Sequence, residues 1–72
     1  MAELRVNWSE LIQQIRMRLG RKGRPLPSTE LALRWKVSKS MLYKIQDGRR
    51  DPGYHFAVQI IEHAKRLGIR VD

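Results

Sequence analysis

The chain has 72 residues, with 15 Lys and Arg against 7 Asp and Glu, a formal charge of +8 at pH 7 and no cysteine. A chain this short buries only roughly 60% of its unfolded surface, which points to one small basic domain, residues 1–72, that gains stability from dimerising or from a partner. The absence of cysteine excludes a disulfide framework, a thiolate zinc site and a cysteine nucleophile, and the charged start MAELRVNWSE, with no apolar run, argues against a signal peptide or membrane span, so a cytoplasmic protein is expected.

Asn7, followed three residues later by Glu10, has the spacing of a capping box at a helix start, with Val6 and Leu11 placed as a hydrophobic staple. Trp8, Leu11, Ile12, Ile15 and Leu19 then recur at intervals of three and four and form one apolar stripe, with Gln13, Gln14, Arg16 and Arg18 facing elsewhere. Gly20, Gly23, Pro25 and Pro27 end this helix near Gly20, and the basic connector GRKGRPLP is expected to be extended or mobile.

A second, short helix opens at Pro27 or Ser28 and runs to about Trp35, with Leu31, Ala32 and Trp35 inward and Arg34 toward water. Glu30 complements the positive end of its dipole. Val37 supplies an apolar residue in the turn, and Ser38 can cap a third helix by accepting from the amide of Ser40 or Met41. Leu42 and Ile45 anchor that helix inward. Its outer face carries Lys39, Ser40, Tyr43, Lys44 and Asp47, with Met41 at the boundary, a set of short polar, basic and aromatic side chains able to meet base edges.

Gly48 ends helix three in a left-handed conformation, Arg49 and Arg50 follow, and Asp51-Pro52 marks the next start, with Pro at the first helical position. Helix four runs from about Gly53 or Tyr54 to Leu67, where Tyr54, Ala57, Ile60, Ile61, Ala64 and Leu67 keep the helical period, and Gly68 closes it. Ile69–Asp72 and Glu3–Val6 both alternate apolar and polar residues, which allows a short β pairing of the termini.

The run LALRWKVSKSMLYKIQDGRRDP, Leu31 to Pro52, resembles the phage repressor and Cro type of helix-turn-helix, the xenobiotic-response-element-like family. Leu31, Ala32, Val37, Ser38, Leu42, Ile45, Gly48 and Pro52 fall on its pattern. The resemblance implies an all-α, compact four-helix, lambda repressor-like domain with its helix-turn-helix at about 28–47. There are departures from the pattern. Lys36 stands where the family has a turn glycine, so the turn must hold a side chain in a strained or left-handed conformation costing of order 1 kcal/mol. Ser28 replaces a common Gln, Gln46-Asp47 replace Glu-Asn, and no fifth helix follows helix four.

Carried over by position, the resemblance implies that Lys39, Ser40 and Lys44 reach bases in the major groove, with Ser38 and Tyr43 beside them. Ser28, Arg49 and Arg50 would grip phosphates, with Arg21, Lys22 and Arg24 as further contributors. The expected function is sequence-specific binding of double-stranded DNA by a homodimeric transcriptional regulator, with an imperfect palindrome as operator. The alternative is an antitoxin-like or adaptor module whose core binds a partner protein. Trp8 and Trp35 could stack on single-stranded nucleic acid, but both lie on apolar stripes and are read as core. His55 and His63 share one helix without paired carboxylates and read as surface or interface residues, so no metal, cofactor or small-molecule substrate is expected. No nucleophile with an activating base and no phosphate-cradling loop is present, so no enzyme is expected.

Overall fold

The computed structural model describes residues 6–71, in an all-helical arrangement of α1 (Trp8–Leu19), α2 (Ser28–Trp35), α3 (Lys39–Gln46) and α4 (Tyr54–Arg66). α1 packs on α3 and α4, and α2 packs on α3. The buried core draws on every helix: Leu11, Ile12 and Ile15 from α1, Leu31, Ala32 and Trp35 from α2, Leu42 and Ile45 from α3, and Phe56, Ile60 and Ala64 from α4, with Leu26 and Ile69 added from the connecting segments. Each large apolar side chain removed from water contributes roughly 1.5–3 kcal/mol, and burying several from each short helix offsets the ordering of helices too short to persist alone.

The start of α1 follows its sequence signal, since the Asn7 side chain accepts from the Glu10 amide at 3.1 Å. The return bond from the Glu10 carboxylate is absent among the described residues, so half of the expected box forms. Trp8 and Leu19 are partly buried at the two ends of the stripe. At the start of α3, Ser38 accepts from the Met41 amide at 3.1 Å.

Three of the helices end in one way. A residue at positive φ follows the helix, and the amide after it bonds back to the carbonyl five residues earlier: Lys36 (φ 58) with Val37 N to Ala32 O at 3.0 Å, Gly48 (φ 76) with Arg49 N to Lys44 O at 2.9 Å, and Gly68 (φ 77) with Ile69 N to Ala64 O at 2.9 Å. Lys36 therefore occupies the left-handed turn, as the break in the sequence pattern implies.

α1 ends differently, in an extended Gly20, and the connector departs from its expectation. It is a tight reversal in which Lys22 and Gly23 both take positive φ (51 and 75), the Arg24 amide bonds Arg21 O at 2.9 Å, and Arg21 and Arg24 form an antiparallel bridge. Two bonds then fasten it to α1: Leu26 N to Arg16 O at 2.8 Å and Arg16 Nε to Leu26 O at 2.7 Å. The connector is ordered because Leu26 is buried and its backbone groups are satisfied by Arg16.

α4 starts at Tyr54 with Gly53 as its N-cap, within the expected start, but two finer expectations are corrected. Pro52 lies outside the helix instead of at its first position. Phe56 is buried, whereas Tyr54 is 80% exposed. At about 100° per residue Tyr54 lies some 120° around the helix from Ile60, past the edge of the stripe that Phe56, Ile60 and Ala64 define. Half of the residues of the expected terminal pairing, 3–5 and 72, lie outside the described residues, and Ile69–Val71 are not in a strand.

A Cβ added at Gly20 would lie 1.8 Å from the Arg24 carbonyl oxygen. Gly20→Ala is therefore expected to destabilise the fold by about 2–3 kcal/mol. Lys36→Gly relieves a left-handed side chain and is expected to stabilise by ~1 kcal/mol. Urea unfolding of the two variants checks the opposite signs, and a loss of stability in Lys36→Gly contradicts the strain assigned to the turn.

Candidate nucleic-acid interface

α3 divides cleanly between core and solvent. Leu42 and Ile45 are essentially fully buried, at 0% and 1% exposure, while Lys39, Ser40, Tyr43 and Lys44 are all exposed. Residues four apart share a helical face, so Lys39 stands over Tyr43 and Ser40 over Lys44, making a small patch of two cations, a hydroxyl and a phenol. Ser38 stands at the N-terminal edge of that patch. Its oxygen already accepts from the Met41 amide, which leaves the hydroxyl proton and one lone pair free.

The loop after α3 is joined to the same patch through the backbone. Arg49 N bonds the carbonyl of Lys44, so a change in the direction of α3 carries the loop with it. The residue in the corresponding place after α2 is Val37, packed on the core, and after α4 it is Ile69, 5% exposed. An apolar residue there normally packs back on the helix. After α3 the position holds Arg49, exposed together with Arg50, so the same backbone turn presents charge to solvent instead of closing on the core.

The remaining candidates are distributed differently. Ser28 is 9% exposed, and its hydroxyl is occupied by Gln46, donating to Oε1 at 3.3 Å and accepting from Nε2 at 3.1 Å. The Ser28 side chain is thus engaged within the fold, at the helix start where the resemblance placed a phosphate contact. What α2 leaves at that end are first-turn amides without a side-chain cap, because the N-cap is Pro27. Lys22 lies at the tip of the connector reversal, while Arg21 and Arg24 line a shallow depression of about 430 Å³ that extends to Glu30 and Arg34 of α2. The structure thus groups Ser38, Lys39, Ser40, Tyr43, Lys44, Arg49 and Arg50 on α3 and its loop, and Lys22 and Arg24 on a separate turn beside α2.

Two structural roles were not visible in the helical pattern. Arg16, which the pattern places off the apolar stripe, is partly buried and donates to Leu26 O, to Gln13 Oε1 at 3.2 Å and to Gln46 Oε1 at 3.2 Å. Through Gln46 it ties α1 to the end of α3 and, via Ser28, to the start of α2. Its place four residues after Ile12 and three before Leu19, on the edge of the apolar stripe, is the signal that could have marked it. His63 is the other. Trp35 Nε1 donates to His63 Nδ1 at 2.9 Å, and the Trp35 ring meets Phe56 and His63 edge to face. Among the described residues no helix is long and apolar enough to cross a membrane, and no group of three or more His, Cys, Asp or Glu could hold a metal.

Comparison with family models, with curated proteins and with solved structures gives no match.

Burial, then the charges of Arg66 and Arg34, hold the His63 pKa below its ordinary 6.5. The indole can only donate, so the bonded imidazole must be neutral at Nδ1. With its folded pKa lowered, the stability His63 contributes is complete above pH 6.5 and is lost as the pH falls below 6.5, where the unfolded chain takes up the proton more readily. Thermal unfolding between pH 7.5 and 5 should show a drop in the wild type that is smaller in His63→Gln; identical profiles contradict the assignment.

Proposed function

We propose that this protein is a sequence-specific double-stranded DNA-binding transcriptional regulator of the small repressor or Cro kind, acting as a homodimer on an imperfect palindrome. The observation that carries the reading is the outer face of α3. It is held rigid from below by Leu42 and Ile45, exposes Lys39, Ser40, Tyr43 and Lys44, and continues through a backbone bond into the exposed Arg49 and Arg50. A helix presenting such side chains fits the major groove, about 12 Å wide.

On this reading Lys39 and Ser40 enter first, at the N-terminal end where a recognition helix meets base edges. Lys44 donates to guanine O6 and N7, and the Tyr43 ring packs on a thymine methyl or a sugar. Ser38 donates its hydroxyl proton beside them. Arg49 and Arg50 neutralise phosphates, with Lys22 and Arg24 reaching phosphates beside the start of α2, and these contacts position the domain without reading sequence. A two-fold dimer of this class meets half-sites roughly 34 Å apart. Control then comes from protein concentration and competition with polymerase for a promoter in the cytoplasm, with no catalytic step.

One observation favours the second reading, an antitoxin-like or adaptor module. Leu33 and Tyr54 are 77% and 80% exposed, and Met17 is 53% exposed, apolar area that a protein partner could cover. The same area serves a homodimer, and the cationic face of α3 is then left for DNA.

Selection of bound fragments from genomic DNA, followed by titration against the selected and shuffled duplexes, tests the proposal. One palindromic motif is expected. Lys44→Ala should weaken the selected site by about 1–3 kcal/mol relative to shuffled DNA, and Arg49→Ala should weaken all sequences alike and reduce the salt slope by about 1. Equal affinity for shuffled DNA overturns the proposal, because a charge of +8 by itself gives sequence-independent binding. A stoichiometric protein partner combined with such indifference favours the module.

A further inference from the structure

A second basic feature lies away from the α3 face. Arg34 and Trp35 of α2 and Gln59, Glu62, His63 and Arg66 of α4 line an open cleft of about 370 Å³. Its two guanidiniums belong to exposed residues on different helices, and both bear electrostatically on the His63 imidazole that lines the same cleft. The imidazole is itself oriented. Nδ1 accepts the indole N–H of Trp35, which leaves the proton of the neutral ring on Nε2 as a donor. Trp35 is 5% exposed and packed on Phe56, so the orienting group is rigid.

We propose that this cleft is a phosphate-binding site, with Arg34 and Arg66 as its charged walls and His63 Nε2 as a third donor. Planar guanidinium forks bind phosphate oxygens in pairs, and donors arriving from two helices suit a tetrahedral oxyanion better than a flat carboxylate with two oxygens. Glu62 supplies one opposing charge in the same cleft, so occupancy requires an anion able to engage both arginines. Neither arginine belongs to the α3 face or its loop, and the site stands independently of the DNA reading. The phosphate group can come from a free phosphate or small phosphorylated compound, or from a nucleic-acid backbone.

Inorganic phosphate titrated into the ¹⁵N-labelled protein at pH 7.5 and constant ionic strength provides the test, followed by NMR at the indole N–H of Trp35 and the ring of His63. Saturable shifts at both are expected, with the indole of Trp8 on α1 unmoved. The exposed pair R34Q/R66Q should keep the wild-type spectrum elsewhere and weaken binding by at least about tenfold, while E62Q should tighten it. A duplex added in a second arm that saturates the same signals, and is displaced by phosphate, identifies the backbone as the source. A duplex that leaves them unmoved identifies the free group. Absence of a saturable shift, equal drift at both indoles, or an unchanged response in R34Q/R66Q overturns the site.

Discussion

The guanidinium of Arg16 is the tie on which the arrangement of the first three helices depends. The connector after α1 must bring α2 across the molecule, and a short basic segment with two prolines has little intrinsic reason to settle in one path. Arg16 holds it at both ends of one residue, accepting the Leu26 amide on its own carbonyl and donating Nε to the Leu26 carbonyl. The same side chain reaches Gln46, whose amide brackets the hydroxyl of Ser28. A partly buried cation is tolerable because several of its N–H groups find acceptors, and the buried polar side-chain atoms of the described residues are all partnered. The relation between the start of α2 and the end of α3 is therefore set by directional bonds as well as by the packing of Leu31, Leu42 and Ile45.

The repeated helix ending has a different consequence at each site. After α2 it closes on Val37 and brings α3 directly into position; after α4 it closes on Ile69 and seals the core. After α3 the same backbone geometry carries Arg49 outward. Core formation and charge presentation thus use one local device, and the side chain following the left-handed residue decides which results. The small domain separates its cations accordingly: Arg16 serves the fold, the lysines of α3 and the arginines after it form one surface, and Arg34 with Arg66 line another together with an oriented imidazole.

Much of the fold was legible in the sequence because the relevant physics is local. Asn7 and Ser38 cap helices through their own side chains three residues on, the α2 and α3 core positions follow the helical period, and Lys36 in a place suited to glycine identifies its own left-handed turn. The outward face of α3 followed from the inward one. Phe56 was missed because two overlapping stripes on α4 satisfy the same period, and only the position of the neighbouring helices selects between them.

What the sequence by itself determined is the set of helices, their ends and the division of α3 into buried and cationic faces, since caps, turn residues and periodicity act over a few residues. Only the tertiary structure decided that Arg16 binds the connector, that Ser28 faces Gln46 instead of solvent, that Trp35 orients His63, and that Arg34 and Arg66 share a cleft. These depend on pairs 10 to 32 positions apart, as with Arg16 and Leu26 or Arg34 and Arg66. No local preference encodes such pairs, because their geometry exists only after the apolar faces have packed and fixed where each backbone runs.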